Sequence, residues 1–312
     1  MKLADAVFQY VAHKQPMGMR FHTERRTLQS FCGQCGNVDL AQIEPEQVRI
    51  FLAGTGPITR FWQRKHEALR GFYRFAIARG YVSHAPLPKT VPKPAHAFVP
   101  YIYSHTELRH LLAATASCHN PRSLLDPLTC RTLLLLLYGA GLRISEALAL
   151  TLADVDLDAG LLQVRDTKFY KTRTVPISAD LLGVLAQYLG HRPSGQLNPD
   201  VPFLLSRAGT PVTRASAENA FQRLRQRAGV RRHDGARYQP RLHDLRHSAA
   251  VHRLVSWYRS GADVQRLLPH LATYLGHATI AATQRYLTLT PQLLEAANIR
   301  FERYAMEGDH HD

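Results

Sequence analysis

Arg131-Thr-Leu-Leu-Leu-Leu-Leu-Tyr-Gly-Ala-Gly-Leu-Arg-Ile-Ser-Glu146 reads as a buried helix, a glycine break and the start of a second helix. The leucine run at 133–137 has no polar face, so it belongs inside a core. It falls well short of the roughly 18 apolar residues that a membrane span needs. Gly139 and Gly141 end the helix and residues 145–152 resume one. Arg143 is thereby left at a junction, with Glu146 three residues on and able to orient it.

Working outward, residues 161–166 and 173–177 read as two short strands around a polar tip at 167–172, a hairpin with a long loop. Helical patterns follow from residue 179, with 213–228, 243–257, 263–275, 278–286 and 291–306. Upstream, Ser104-His-Thr-Glu107 is a capping box that opens a helix over 108–114. This part of the chain is expected to be mostly helical with a small antiparallel β-sheet.

Five prolines (Pro86, Pro88, Pro92, Pro94 and Pro100) crowd residues 86–100. Proline neither continues a helix nor donates in a sheet, so this stretch predicts an extended linker between a domain at 1–85 and one at 101–312. Residues 1–85 read as helices. Pro45 suits the first turn of one of them, with Glu46 behind it. Residues 59–78 carry an apolar stripe of Phe61, Trp62, Leu69, Phe72, Tyr73, Phe75 and Ala76, and Gly80 ends that helix. Arg60, Arg64, Lys65, Arg70 and Arg74 mark its other face, either a solvated surface or one laid on phosphates.

The 312 residues carry 39 Lys and Arg against 24 Asp and Glu, a formal charge of +15. The first 100 residues alone hold 14 basic and 6 acidic side chains, so both halves are basic. Such a surplus points to a polyanionic partner, and nucleic acid is the usual one. No apolar stretch follows Met1-Lys2, so no leader is expected, and the chain is expected to be soluble and cytoplasmic. Cys32 and Cys35 form a C-x-x-C, but Cys118 and Cys130 stand at the wrong spacing to complete a zinc site. The thiols read as packing.

Breaking a phosphodiester without a metal needs a nucleophile, cations on the non-bridging oxygens, and an acid for the leaving oxygen. Arginine suits the second task because its planar fork stays charged and grips two oxygens; Lys or His suits the third. Leu242-His-Asp-Leu-Arg-His247 puts His243 and Arg246 at i and i+3 on one helix face. Tyr274-Leu-Gly-His277 sets a histidine beside a glycine, and Tyr286 follows nine residues after it.

Together these stretches resemble the tyrosine recombinase (phage integrase) family. Its signature joins an arginine in G-x-G-L-R-x-S-E, a hairpin lysine, an H-x-L-R-H block, and an L-G-H block nine residues before a tyrosine. Each stands here in that order, across residues 107–286. The resemblance implies Tyr286 as nucleophile, Arg143 and Arg246 as a clamp on the scissile phosphate, and His277 as a donor to the same group. It implies His243 as a general acid/base or phosphate contact and Lys168 as the acid for the leaving 5′-oxygen. Glu146 and Asp244 are supporting candidates. The hairpin Asp166-Thr-Lys-Phe-Tyr-Lys-Thr-Arg173 is about one residue longer than the Gly-Lys-Gly tip of many members, so Lys171 rivals Lys168. Lys171 and Arg173 are otherwise expected on backbone phosphates. His247, His252 and His270 match no role and read as packing or surface.

The implied fold is a helical N-terminal DNA-binding domain followed by an α+β catalytic domain. The implied reaction runs through a 3′-phosphotyrosine with no cofactor, neither ATP nor metal. The implied partners are double-stranded DNA and three further copies of the chain, docked through residues 291–306. Nothing of an arm-binding segment is expected before residue 1. A type IB topoisomerase would run the same chemistry on one duplex. A metal-dependent nuclease would want ligand clusters at coordination spacing, and a non-catalytic DNA binder would leave the ordered set of site residues unexplained.

Overall fold

The computed structural model describes residues 1–16, 21–55, 58–92, 99–119, 123–165, 172–192, 198–236, 238–287 and Glu295. Two compact units divide between Phe98 and Val99.

Among its described residues the first unit holds four α-helices: α1 (Leu3–Lys14), α2 (His22–Cys35), α3 (Pro45–Ala53) and α4 (Arg60–Ala78). Pro45 takes the first position of α3, where its missing N–H costs nothing, and the Glu44 N–H is bonded by Gln47. Trp62, Leu69, Phe72, Tyr73 and Ala76 of α4 are buried against Leu3, Leu28, Phe31 and Phe51. Two expectations are corrected. Phe61 is more than half exposed, and Lys65 does not join the basic face. At 3.6 residues per turn Arg60, Arg64, Arg70 and Arg74 fall within an arc of about 120°, and Lys65 lies about 100° beyond its edge. Those four arginines are exposed, whereas the Lys65 ammonium donates to the Phe51 carbonyl (2.6 Å) and lies over the Phe51 and Phe61 rings.

The chain stays with this unit past residue 85. Ala85 and Leu87 pack on the same core, and the Pro88 carbonyl bonds the His66 ring. Cys32 and Cys35 are half-buried beside that core, and burial pushes the Cys32 thiol up to about 11, which leaves it unreactive at neutral pH.

The second unit is built on α6 (Pro127–Tyr138), whose Leu133, Leu134, Leu136 and Leu137 are buried as the leucine run requires. Asp126 caps it, its carboxylate accepting from the Thr129 N–H at 2.8 Å. Before it comes α5 (His105–Ala114), opened by the reciprocal bonds of Ser104 and Glu107. After it come α7 (Ile144–Ala149), a three-stranded antiparallel sheet, then α8 (Ala179–His191) and α9 (Arg214–Arg227). The sheet order is β1 (Val155–Asp156), β2 (Leu161–Val164), β3 (Arg173–Pro176), with Leu162 opposite Val175. β1 is too short to leave an alternating pattern in the sequence. Among the described residues, α10 (Asp244–Arg259), α11 (Val264–Leu275) and the single-turn α12 (Ala281–Gln284) come next. The apolar faces of α10 and α11 form a second core that includes Tyr286. The hairpin tip with Lys168 and Lys171, and residues 291–306 apart from Glu295, lie outside the described residues. Among the described residues no helix is long and apolar enough to cross a membrane.

Candidate active site

The site gathers where α11 stops. Gly276 caps that helix in the left-handed conformation (φ 64°), which glycine adopts without a Cβ penalty. A helix end leaves carbonyls without intrahelical partners and carries partial negative charge. Here three consecutive carbonyls each receive a different arginine. Arg173 Nε donates to the Tyr274 carbonyl (3.0 Å), Arg246 Nη2 to that of Leu275, and Arg143 Nη2 to that of Gly276 (2.7 Å). Hydrogen bonds that involve a charged partner contribute roughly 1.5–3 kcal/mol each, so this junction is strongly fixed.

Glu146 organises the same arginines from below. It sits in the first turn of α7 and accepts from the backbone N–H of Arg143, the residue before that helix, at 2.9 Å. Its two oxygens take Arg143 Nη1 (2.5 Å) and both terminal nitrogens of Arg173 (3.1 and 2.9 Å), with Arg246 Nη1 3.7 Å away. Burial alone would raise its carboxyl. The Arg173 bonds and the Arg143 contacts outweigh that and hold it down at about 2. Arg246 is almost wholly buried and donates also to the Gly141 carbonyl, tying α10 to the turn between α6 and α7. Burial, then the charge of Arg143, lowers its guanidinium to about 9, still charged at neutral pH.

Tyr286 follows α12 in a turn, its N–H bonded to the Thr283 carbonyl (3.0 Å). Its side chain is buried, and its hydroxyl lies 2.9 Å from His247 Nδ1. The His277 ring stacks near the Tyr286 ring, centroids 6.1 Å apart, and His277 Nδ1 pairs with the Thr283 hydroxyl (2.7 Å). With that hydroxyl donating, the ring keeps a proton on Nε2 for another acceptor. Burial lowers His277 and His247 to about 3 each, and the neighbouring arginines push the same way. Both rings are therefore neutral at pH 7. Tyr286 is raised above its ordinary value because burial outweighs the pull of Arg246, Arg143 and Arg285. The cations near it do not by themselves release its proton.

The structure thus brings together Arg143, Arg246, His277 and Tyr286, with Glu146 beneath them. His243 joins at one remove: its ring meets the His247 ring at 4.8 Å, edge to face, and burial lowers it to about 4. Asp244 stands apart, its buried carboxylate paired with Arg241 (2.9 Å). Arg173 is a correction. Instead of facing DNA backbone, its side chain is only 10% exposed and is spent on Glu146 and the Tyr274 carbonyl, because the first residue of β3 points inward at α11. His247 is another correction, since it touches the Tyr286 hydroxyl. Its spacing of four from His243 on one helix face was the available signal. His252 pairs with Tyr138 (2.9 Å), and His270 is exposed.

A helical unit with a small antiparallel sheet, an arginine–glutamate cluster and a buried tyrosine defines an enzyme that breaks and rejoins DNA strands. The chain belongs to the phage integrase family, whose model matches residues 103–292. It is 35% identical over 307 residues, 96% of each chain, to the putative integrase/recombinase y4rB of Sinorhizobium fredii (strain NBRC 101917 / NGR234). Over 276 residues, 86% of this chain and 85% of the other, it is 32% identical to the tyrosine recombinase XerC of Xylella fastidiosa (strain 9a5c). Its fold is similar to that of the Tn1549 transposon integrase solved with transposon right end DNA, with a TM-score of 0.71 at 16% identity over 98% of this chain and all of that one.

Proposed function

We propose that this recombinase acts on double-stranded DNA through a covalent phosphotyrosine. Tyr286 Oη attacks a backbone phosphorus, leaving a 3′-phosphotyrosine and a free 5′-hydroxyl; a second strand's hydroxyl then reverses the step. The observation that carries the reading is the convergence of Arg143, Arg246 and His277 around a buried tyrosine. Each guanidinium has five N–H donors, so Arg143 and Arg246 can keep their backbone carbonyls and still neutralise the non-bridging oxygens. One such donor is worth about 100- to 1000-fold in rate. The phosphotyrosine ester conserves the bond, so neither ATP nor a metal enters the balance. Lys168, with Lys171 as its rival, protonates the leaving 5′-oxygen.

The basic surface of α4, Arg60, Arg64, Arg70 and Arg74, supports the first unit as a second grip on the duplex. The amphipathic pattern at 291–306 supports assembly of four copies on two sites inside the cell.

The test is covalent trapping on nicked duplexes of randomised sequence that carry a 5′-bridging phosphorothiolate, with EDTA present. Wild type gives a DNA-linked band on a denaturing gel and Tyr286→Phe gives none. A band that persists in the variant, or cleavage that needs added metal, overturns the reading.

A further inference from the structure

Among the histidines of the site, His247 is the one whose ring nitrogen lies within hydrogen-bond distance of the tyrosine oxygen, 2.9 Å from Nδ1 to Oη. His243, from which the family resemblance draws an acid/base, meets the His247 ring rather than the tyrosine. His277 turns its Nδ1 to Thr283. We infer that His247 is a catalytic residue, the group that takes the Tyr286 proton on cleavage and returns it on rejoining. The inference rests on Tyr286 as nucleophile.

In the cleavage step the Oη–H bond breaks, its proton moves to His247 Nδ1, and Oη bonds to phosphorus. The bond from phosphorus to the 5′-oxygen breaks, and that oxygen takes a proton from a separate acid. Rejoining runs the reverse: the 5′-hydroxyl attacks, Tyr286 leaves, and His247 gives its proton back. This requires the His247 tautomer protonated on Nε2, with Nδ1 accepting from the tyrosine.

The surroundings make the transfer conditional. His243 and Arg246 face His247 from its own helix, Arg241 from the segment before it, His277 from the turn after α11, and Arg285 and Tyr286 from the α12 end. Burial first, and then the charges of Arg241, Arg246 and Arg285, make the ring a poor base, and the buried tyrosine keeps its proton. A phosphodiester held by Arg143 and Arg246 brings the negative charge that offsets those arginines. The nucleophile is then switched on by its own target and stays protonated without it.

The experiment compares wild type, His247→Asn and His247→Ala on a duplex selected by the trapping described above. The scissile 5′-bridging sulfur leaves without an acid, so a deficit reports on the nucleophile's side alone. Asparagine places an amide oxygen close to where Nδ1 stands; it can accept from Tyr286 but cannot hold a proton. The expected result is cleavage slowed by about 100-fold or more in both variants, with unchanged melting temperature and DNA affinity in His247→Asn. The deficit narrows about tenfold per pH unit above neutrality, as hydroxide supplies the tyrosinate. Wild-type rate and pH profile in His247→Asn, with the adduct still mapping to Tyr286 by peptide mass spectrometry, would overturn the shuttle and leave the nucleophile standing. An adduct on another residue would overturn both. Should asparagine lower the melting temperature, His247→Gln serves in its place with the same outcomes.

Discussion

Replacing Arg173 by methionine keeps most of its volume and removes its charge. Three hydrogen bonds disappear, one to the Tyr274 carbonyl and two to the Glu146 carboxylate. Glu146 is 5% exposed, so water does not replace what is lost. Breaking a buried ion pair from one side costs about 3–5 kcal/mol, because the remaining charge stays buried. Glu146 retains Arg143 at two points, which argues for the lower end, roughly 3 kcal/mol. For a unit of this size that is about 6–12 °C in melting temperature. The pH dependence carries the sharper signature. The Glu146 carboxyl titrates at about 2 in the fold against an ordinary 4.5. A depressed acid stabilises above its unfolded value and loses that contribution as pH falls through the folded one. At about 1.4 kcal/mol per pH unit, the window carries roughly 3 kcal/mol. Thermal melts of wild type and Arg173→Met from pH 7 to pH 3 should therefore show a gap that is full above pH 4.5 and narrows below it. A gap under about 1 kcal/mol at pH 7, or one that does not change with pH, would refute the account of Glu146 as a buried carboxylate held by Arg173.

Gly276→Ala meets two obstacles. The left-handed φ costs about 1–2 kcal/mol for a residue with a Cβ, and that Cβ would lie 2.6–3.0 Å from the Arg173 guanidinium; denaturant melts should show a loss of at least that size, together with slower covalent trapping. His243, His247, His252 and His277 are all held by burial below the ordinary 6.5. The unfolded chain therefore takes up protons first, and the melting temperature should fall as pH drops from 7 to 5; a flat or rising profile would count against their neutral burial. In the first unit, Arg70→Ala should reduce the slope of log DNA affinity against log salt by about 0.9. Lys65→Met, whose ammonium caps a carbonyl, should leave that slope unchanged.

The leucine run, the capping residues and the hairpin were legible in the sequence because each depends on local periodicity or a local cap. Arg143 with Glu146 and His277 beside Gly276 were legible for the same reason. Arg173 was not. In a hairpin flanked by Lys168, Lys171 and Thr172 it reads as another exposed cation, and only the pairing of β3 with β2 turns it inward. The arginine contacts on α11 escaped because they use backbone carbonyls, which look alike at every residue. His247 escaped because its partner is 39 residues away and arrives through the packing of Tyr286 on α10 and α11.

The end of α11 sets a constraint on length more than on composition. Tyr274 and Leu275 offer the arginines only their carbonyls, so their side chains can change with little effect on those bonds, whereas Gly276 has no room for a Cβ beside Arg173. Inserting or deleting one residue between Leu271 and His277 would instead rotate the helix end by about 100°. All three arginines would then lose their acceptors at once, and Tyr286 would be carried out of step with them. Divergence along this stretch should thus proceed by substitution, with gaps confined to loops elsewhere in the chain.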